Sequence, residues 1–309
     1  MVLSRRSLPY AKPGLQSLLT NSLEPLDIVL LTDTTEDLKH LNETVSRFTN
    51  LERHRVQVVM SEELADSEAS LFRGRPTLRA FRHGHPCWRK ITDPLLVGAP
   101  GEELVILDPD LYFPNRFRFE QTPERGLLLM WQQPNCLVPP EVVTFAMANG
   151  IRLARHVDIG VAHWRSAPDL DWLEWMLGKL TGTTLPNVMH IEAIVWAAIA
   201  MREGGGYLNP RYWRCWRRTV MKRLMRKLGV DGGNCLRSEP WREIKCFHAG
   251  GEAKWWVVKL ERRGFPGEPK EHSQAAAVIP FVELTSTRYA REQTCKRLLR
   301  GLDVYGILH

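Results

Sequence analysis

The stretch Leu104-Val105-Ile106-Leu107-Asp108-Pro109-Asp110-Leu111-Tyr112 decides the reading of the fold. Four consecutive apolar residues, half of them β-branched, read as a short buried strand. That strand runs directly into two carboxylates separated by one proline. In open α/β sheets, ligand sites lie outside the carboxyl ends of strands. Pro109 helps fix a backbone bend, so that Asp108 and Asp110 can face one site. Hard oxygen ligands of this kind suit Mg2+ or Mn2+, and such a cation can bridge a diphosphate. Taken alone, Asp-Pro-Asp is also ordinary turn chemistry.

Upstream, Asp27-Ile28-Val29-Leu30-Leu31 reads as a buried strand, and Thr32 to Glu36 supplies N-cap candidates for a helix carrying Leu38, Leu41, Val45 and Phe48. Val56 to Met60 is a second strand, so the chain opens strand, helix, strand. This is the start of an α/β fold with a mostly parallel central sheet flanked by helices. Downstream, strands are expected at Leu127 to Trp131, Val157 to Trp164 and Ile244 to Phe247. Helices are expected at Pro139 to Asn149, Leu170 to Leu180, Val188 to Met201 and Arg288 to Leu299. The expected organisation is a poorly ordered lead-in over residues 1–24, one compact unit over 25–285, and a C-terminal helix and tail over 286–309.

A second constellation is His248-Ala249-Gly250-Gly251-Glu252-Ala253-Lys254-Trp255-Trp256. Glycines let backbone amides approach phosphate oxygens, and Lys254 adds a point charge for the same diphosphate. His248 offers a nitrogen ligand. With Asp108 and Asp110 it leaves several octahedral positions for phosphate and water. On its own, the segment also reads as a Gly-Gly turn before aromatic core.

Together the two constellations resemble the retaining glycosyltransferases of family eight, the glycogenin- and lipopolysaccharide galactosyltransferase-like group. The late family motif, His-x-x-Gly-x-x-Lys-Pro-Trp, is matched in register by His248, Gly251 and Lys254, with Trp255 in place of proline. The family's D-x-D motif is matched by Asp108-Pro109-Asp110. The resemblance spans roughly residues 26 to 260 and marks a divergent member.

That resemblance implies a GT-A-like fold and metal-dependent transfer of a sugar from a nucleotide sugar, a UDP-sugar, to an acceptor hydroxyl with retention. It implies Mn2+ (or Mg2+) on Asp108, Asp110 and His248, with Lys254 and the amides near Gly251 on the donor diphosphate. It also implies donor contacts from Leu31, Thr32 and Asp33, at the end of the first strand, and from Lys90, eighteen residues before Asp108. Lys90 also reads as a solvated helix charge beside Arg89. Val157-Asp158-Ile159-Gly160-Val161 resembles the family's Phe-Asn-x-Gly-Val segment at the donor sugar, with Asp158 replacing asparagine. Met189-His190-Ile191-Glu192-Ala193 stands where the family has an acidic residue and glutamine near the reacting carbon. Glu192 would then face the sugar, although an acidic residue at a helix start is equally favoured by the helix dipole.

Composition narrows the alternatives. With 44% apolar and 25% charged residues, the chain has the balance of a folded globular protein. Six cysteines without a C-x-x-C pair support neither a disulfide framework nor a cysteine-zinc site. No Walker A motif, G-x-G-x-x-G or G-x-S-x-G is present. No signal segment stands out and the apolar runs fall short of the ~18 residues of a spanning helix. The expected location is cytoplasmic.

The net charge of +7 is concentrated: Arg211 to Gly229 holds eight basic residues and no acidic one. Trp213, Trp216, Val220, Leu224 and Leu228 recur at three- and four-residue steps, so residues 211–228 read as a basic amphipathic helix. Peripheral attachment to an anionic membrane, bringing a lipid-linked or glycan acceptor to the site, is one expectation. A helix packed on the core with a solvated basic face is the other. Two further readings stand beside the transferase: a catalytically inactive binding protein of the same fold, and a nucleic-acid-associated protein using this helix. The near-neutral remainder of the chain argues against nucleic acid as a partner.

Overall fold

Strand β1 (Asp27–Thr32) pairs in parallel with β2 (Arg55–Met60) through helix α2 (Thr35–Val45), as the opening pattern predicts. Thr34 caps α2, its hydroxyl accepting from the Asp37 amide. The computed structural model describes residues 1–165, 168–181, 185–217 and 219–301. The expected lead-in is not loose. It contains α1 (Leu8–Asn21), whose Ala11, Leu15, Leu18 and Leu19 are buried, a spacing that places them on one helix face. Before α1, residues 1–3 run beside β1: the Leu3 amide donates to Leu31 O, and the Leu31 amide to Met1 O, both at 2.8 Å. Pro9, Pro13 and Gly14 obscure this helix in the sequence.

The chain continues through α3 (Ala65–Leu71), α4 (Pro76–Arg82) and α5 (Arg89–Val97) to β3 (Glu103–Leu107), β4 (Leu111–Tyr112), β5 (Arg116–Phe117) and β6 (Leu127–Trp131). Then come α6 (Pro140–Ala148), β7 (Val157–Arg165), α7 (Leu170–Thr181), α8 (Ile191–Glu203), β8 (Gly205–Tyr207) and β9 (Trp213–Cys215). The last part holds α9 (Val220–Lys227), α10 (Gly232–Arg237), β10 (Cys246–His248), α11 (Ala253–Arg263), β11 (Glu271–His272), β12 (Ile279–Pro280) and α12 (Ser286–Gly301).

The central sheet is mixed, where a mostly parallel one was expected. β7 lies antiparallel between β3 and β6, while β6 pairs in parallel with β8 and β9, and β9 with β10. Two antiparallel steps make β3 and β6 parallel to each other, so their carboxyl ends share one edge. The sheet is covered on both faces. Ile106, Leu127, Leu129 and Ala162 pack with α4 to α8, whereas Leu107, Leu128, Met130 and Val161 pack on the α1 side. This alternation is the period-two signature of a strand.

The expected helix over 211–228 is the main local correction. Trp213 and Cys215 are buried on either side of half-buried Arg214, a strand alternation, and Arg214 pairs with Phe247 and Trp131. The helix begins only after Thr219, whose hydroxyl accepts from the Lys222 amide. Trp213 and Trp216 are core residues, whereas Met221, Leu224 and Leu228 are exposed. The apparent charge excess is partly compensated from afar: Arg214 and Lys222 pair with buried Glu239, and Arg211 with Glu243. Arg218 lies outside the described residues, as do residues 302–309 of the expected tail. The C-terminal helix itself docks through buried Tyr289, whose hydroxyl donates to Leu137 O. Among the described residues no helix is long and apolar enough to cross a membrane.

Candidate active site

The carboxyl end of β3 delivers Asp108 and Asp110, and β10 delivers His248. β10 pairs with β4 immediately after the two aspartates, His248 opposite Leu111, and the Ala249 amide donates to Asp110 O at 2.9 Å. Backbone pairing therefore sets the imidazole over the carboxylates. His248 Nε2 lies 3.1 Å from Asp110 Oδ1 and 3.7 Å from Asp108 Oδ2. One ligand atom from each of the three residues falls within 4.8 Å of the others. Two carboxylates and an imidazole form a donor set that fits Mn2+ or Mg2+.

Asp158, at the start of β7, holds the other side of the ring. Its Oδ1 lies 2.7 Å from His248 Nδ1 and accepts from the Gly160 amide at 2.9 Å. The side chain expected at a donor sugar is thus engaged with protein. Gly160 is equally specific in its role. A β-carbon there would lie 2.7 Å from His248 Cγ and Nδ1, so only a glycine lets the ring seat. Its carbonyl also accepts from the Asp108 amide at 2.9 Å. Burial alone would lower the His248 pKa, but Asp158 and Asp110 outweigh it and raise it well above 6.5. Burial works against Asp110 and Asp158 too, yet His248 holds both carboxyls below their ordinary value.

Lys90, from α5, is buried rather than solvated. Its ammonium bonds Asp108 Oδ1 and lies 2.9 Å from Glu192 Oε2 at the start of α8. Glu192 also accepts from Trp196 Nε1 at 3.3 Å. Burial pushes the Glu192 carboxyl up to about 8 against the pull of Lys90, and burial likewise raises Asp108. Side-chain exposure separates two tiers. Asp108 and Asp110 keep 12% and 13%, whereas Asp158 keeps 5% and Glu192 1%.

The other expected residues divide. Gly251 has a left-handed φ of 68°, so the loop after β10 needs glycine there before α11 begins. Lys254 sits in the first turn of α11 with its ammonium 4.3 Å from the Tyr10 ring centre. Leu31 and Thr32 are interior, and the Leu31 backbone groups are taken by residues 1–3. Asp33 alone of the three is exposed, paired with Arg89. Pro109 makes the bend between β3 and β4.

Three site neighbours escape the sequence reading. Tyr10 comes from the segment expected to be loose, and burial followed by Asp110 raises its pKa. Cys215, assigned to a helix, reaches Asp158 and His248 from β9. Burial and Asp158 raise its thiol pKa, so it stays protonated. Arg89 is buried and bonds Asp93, which in turn bonds Arg82, itself paired with Glu68. No local pattern announces Tyr10 or Cys215, because their site partners are distant in the chain.

The chain matches no protein-family model and no curated protein. Among solved structures it is similar to the apo form of mouse xyloside xylosyltransferase 1, with a TM-score of 0.53 and 13% sequence identity. The match covers 82% of this chain and 97% of that one. The fold is therefore the GT-A-like α/β fold that the resemblance implies.

Proposed function

We propose that the chain is a metal-dependent glycosyltransferase that moves a sugar from a UDP-sugar to an acceptor hydroxyl with retention. The observation that carries this reading is the convergence of Asp108, Asp110 and His248 at one sheet edge of a GT-A-like fold. These three residues would hold a divalent cation, which when bound would supply Lewis-acid stabilisation of the departing diphosphate. The amides of Gly250 and Gly251 and the Lys254 ammonium bind the same diphosphate at the start of α11. Asp158 orients His248 so that Nε2 faces the two aspartates. Lys90 offsets the negative charge of Asp108 and lies 2.9 Å from Glu192 Oε2. In the transfer, the anomeric carbon loses its diphosphate oxygen and gains the acceptor oxygen, and the acceptor's hydroxyl proton leaves with the diphosphate. The test is a panel of nucleotide sugars with Mn2+, read as release of nucleoside diphosphate. The reading expects UDP-sugars to be turned over and Asp108→Ala to abolish turnover.

Helix α9 carries the membrane expectation in altered form. Met221, Leu224 and Leu228 are 64%, 49% and 74% exposed, a row no core covers. We read this row as the part that meets an anionic membrane, with basic neighbours contributing about 1 kcal/mol each. Co-sedimentation with anionic vesicles, lost in Leu224→Asp, is the expected outcome. Equal partitioning of the variant would leave α9 as ordinary surface.

A further inference from the structure

A cleft of about 830 Å3 opens between the loop after β6, the residues just before β7 and α12. It lies at the carboxyl end of β6, hence on the same sheet edge as Asp108 and Asp110. Its lining is unusual in what it leaves unbonded. Asn135 and His156 are only 2% and 6% exposed, yet Asn135 Nδ2 and His156 Nδ1 have no partner within the protein. Arg155 Nη1 and Glu292 Oε2 are also buried and unpartnered, and all four residues line the cleft. Buried polar groups in folded proteins are ordinarily bonded, so four residues of one cleft wall that each carry an unbonded group point to a polar ligand there.

The charge is specific as well. Arg155, Glu283, Arg288, Arg291, Glu292 and Lys296 all line the cleft, the last four from one helix, α12. Glu283 is paired outward with Arg152, and Glu292 with Arg288. Arg155 and Arg291 have no carboxylate partner among the described residues. His156 is held at a left-handed φ of 59°, a conformation that costs a non-glycine residue free energy and recurs at ligand sites. Its ring packs 5.4 Å from Trp131, the last residue of β6, which Arg217 covers at 4.5 Å. His156 in the cleft and Asp158 of the Asp158–His248 pair are two residues apart in the chain, at the start of β7.

We propose that this cleft binds the acceptor, and that the acceptor is an anionic sugar carrying a phosphate or a carboxylate. Arg155 and Arg291 take the oxyanion, a pairing the guanidinium geometry suits. Asn135, His156 and Glu292 take hydroxyls, which donate and accept and so satisfy both kinds of unbonded group. The volume is that of a site for a small ligand of one or two sugar rings. This assignment rests on the transferase reading for the word acceptor, and on the cleft alone for the anionic sugar.

The test is ligand-observed NMR and calorimetry on the full chain with four probes: glucose 6-phosphate, glucuronate, glucose and inorganic phosphate. At least one of the two anionic sugars binds about tenfold more tightly than glucose, and which of them does so distinguishes phosphate from carboxylate. Arg155→Met and the exposed Arg291→Glu, both checked for an unchanged thermal midpoint, weaken that binding about tenfold. No preference over glucose, binding unchanged in the folded Arg291→Glu protein, or inorganic phosphate binding as tightly as the sugar phosphate each overturns the proposal. UDP-sugar hydrolysis by the unaltered chain is measured separately. Its absence with anionic-sugar binding intact overturns the acceptor role and leaves the binding site.

Discussion

His248 Nδ1 and Asp158 Oδ1 lie 2.7 Å apart, and this bond directs the opposite ring nitrogen at Asp110. Asp158 is held as a carboxylate below its ordinary pKa, so it accepts and the Nδ1–H donates. The tautomer that follows leaves Nε2 as the atom that would ligate a cation once its proton is lost.

Replacing Asp158 with asparagine keeps the shape and removes the charge. The expected result is Mn2+ affinity lowered about 10–100-fold by calorimetry, with the fold retained. Affinity equal to that of the unaltered protein would separate Asp158 from the metal site.

Gly160→Ala tests the same ring from the backbone side. The added carbon meets His248 at 2.7 Å. We expect a destabilisation of about 1–3 kcal/mol in urea, typical of overpacking, together with weakened Mn2+ binding. An alanine protein with unchanged stability and binding would mean that the ring is free to move aside.

On the proposed metal site, the raised pKa of His248 would set metal and proton in competition. In the metal-free chain His248 is protonated at neutral pH, and cation binding through Nε2 must expel that proton. Mn2+ affinity should therefore rise with pH, by up to about tenfold per unit, with one proton released in calorimetry across buffers of differing ionisation heat. The sign for the metal-free fold is the reverse. The stability contributed by His248 is full below its unfolded value of 6.5 and is lost as pH rises through the raised folded value. A metal affinity independent of pH would remove Nε2 from the ligand set.

Glu192 gives a separate pH signature. Its folded value of about 8 exceeds the ordinary 4.5, so the folded state holds a proton that the unfolded state has released. Stability relative to a Glu192→Gln variant should fall as pH rises from 4.5 to about 8 and level off above. Parallel profiles for the two proteins would show that the carboxyl is already ionised through that range.

The parts of this site that are legible in the sequence are those made by short-range pattern. An apolar strand ending in Asp108-Pro109-Asp110 and a strand ending in His248-Ala249-Gly250-Gly251 are local, and both end at the shared edge. Lys90 is legible only through the family resemblance, because its burial depends on Glu192 approaching from α8. Tyr10 and Cys215 are hidden for a stronger reason. Each lies in a segment whose local signal points elsewhere, prolines in α1 and a three-and-four spacing of tryptophans around β9. Tertiary pairing overrides that spacing at Trp213, which is buried and donates to Glu120 Oε1 at 2.9 Å. The same holds for charge: eight basic residues in one segment look uncompensated until Glu239 and Glu243 fold back on them.

The most direct test of the central claim is release of UDP from UDP-sugars by the purified chain, with and without Mn2+, beside Asp110→Asn. The account predicts metal-dependent release that chelator abolishes and that Asp110→Asn lowers by at least about a hundredfold, with the thermal midpoint of the metal-free protein little changed. Release that is equal in excess chelator, or undiminished in folded Asp110→Asn, would contradict it.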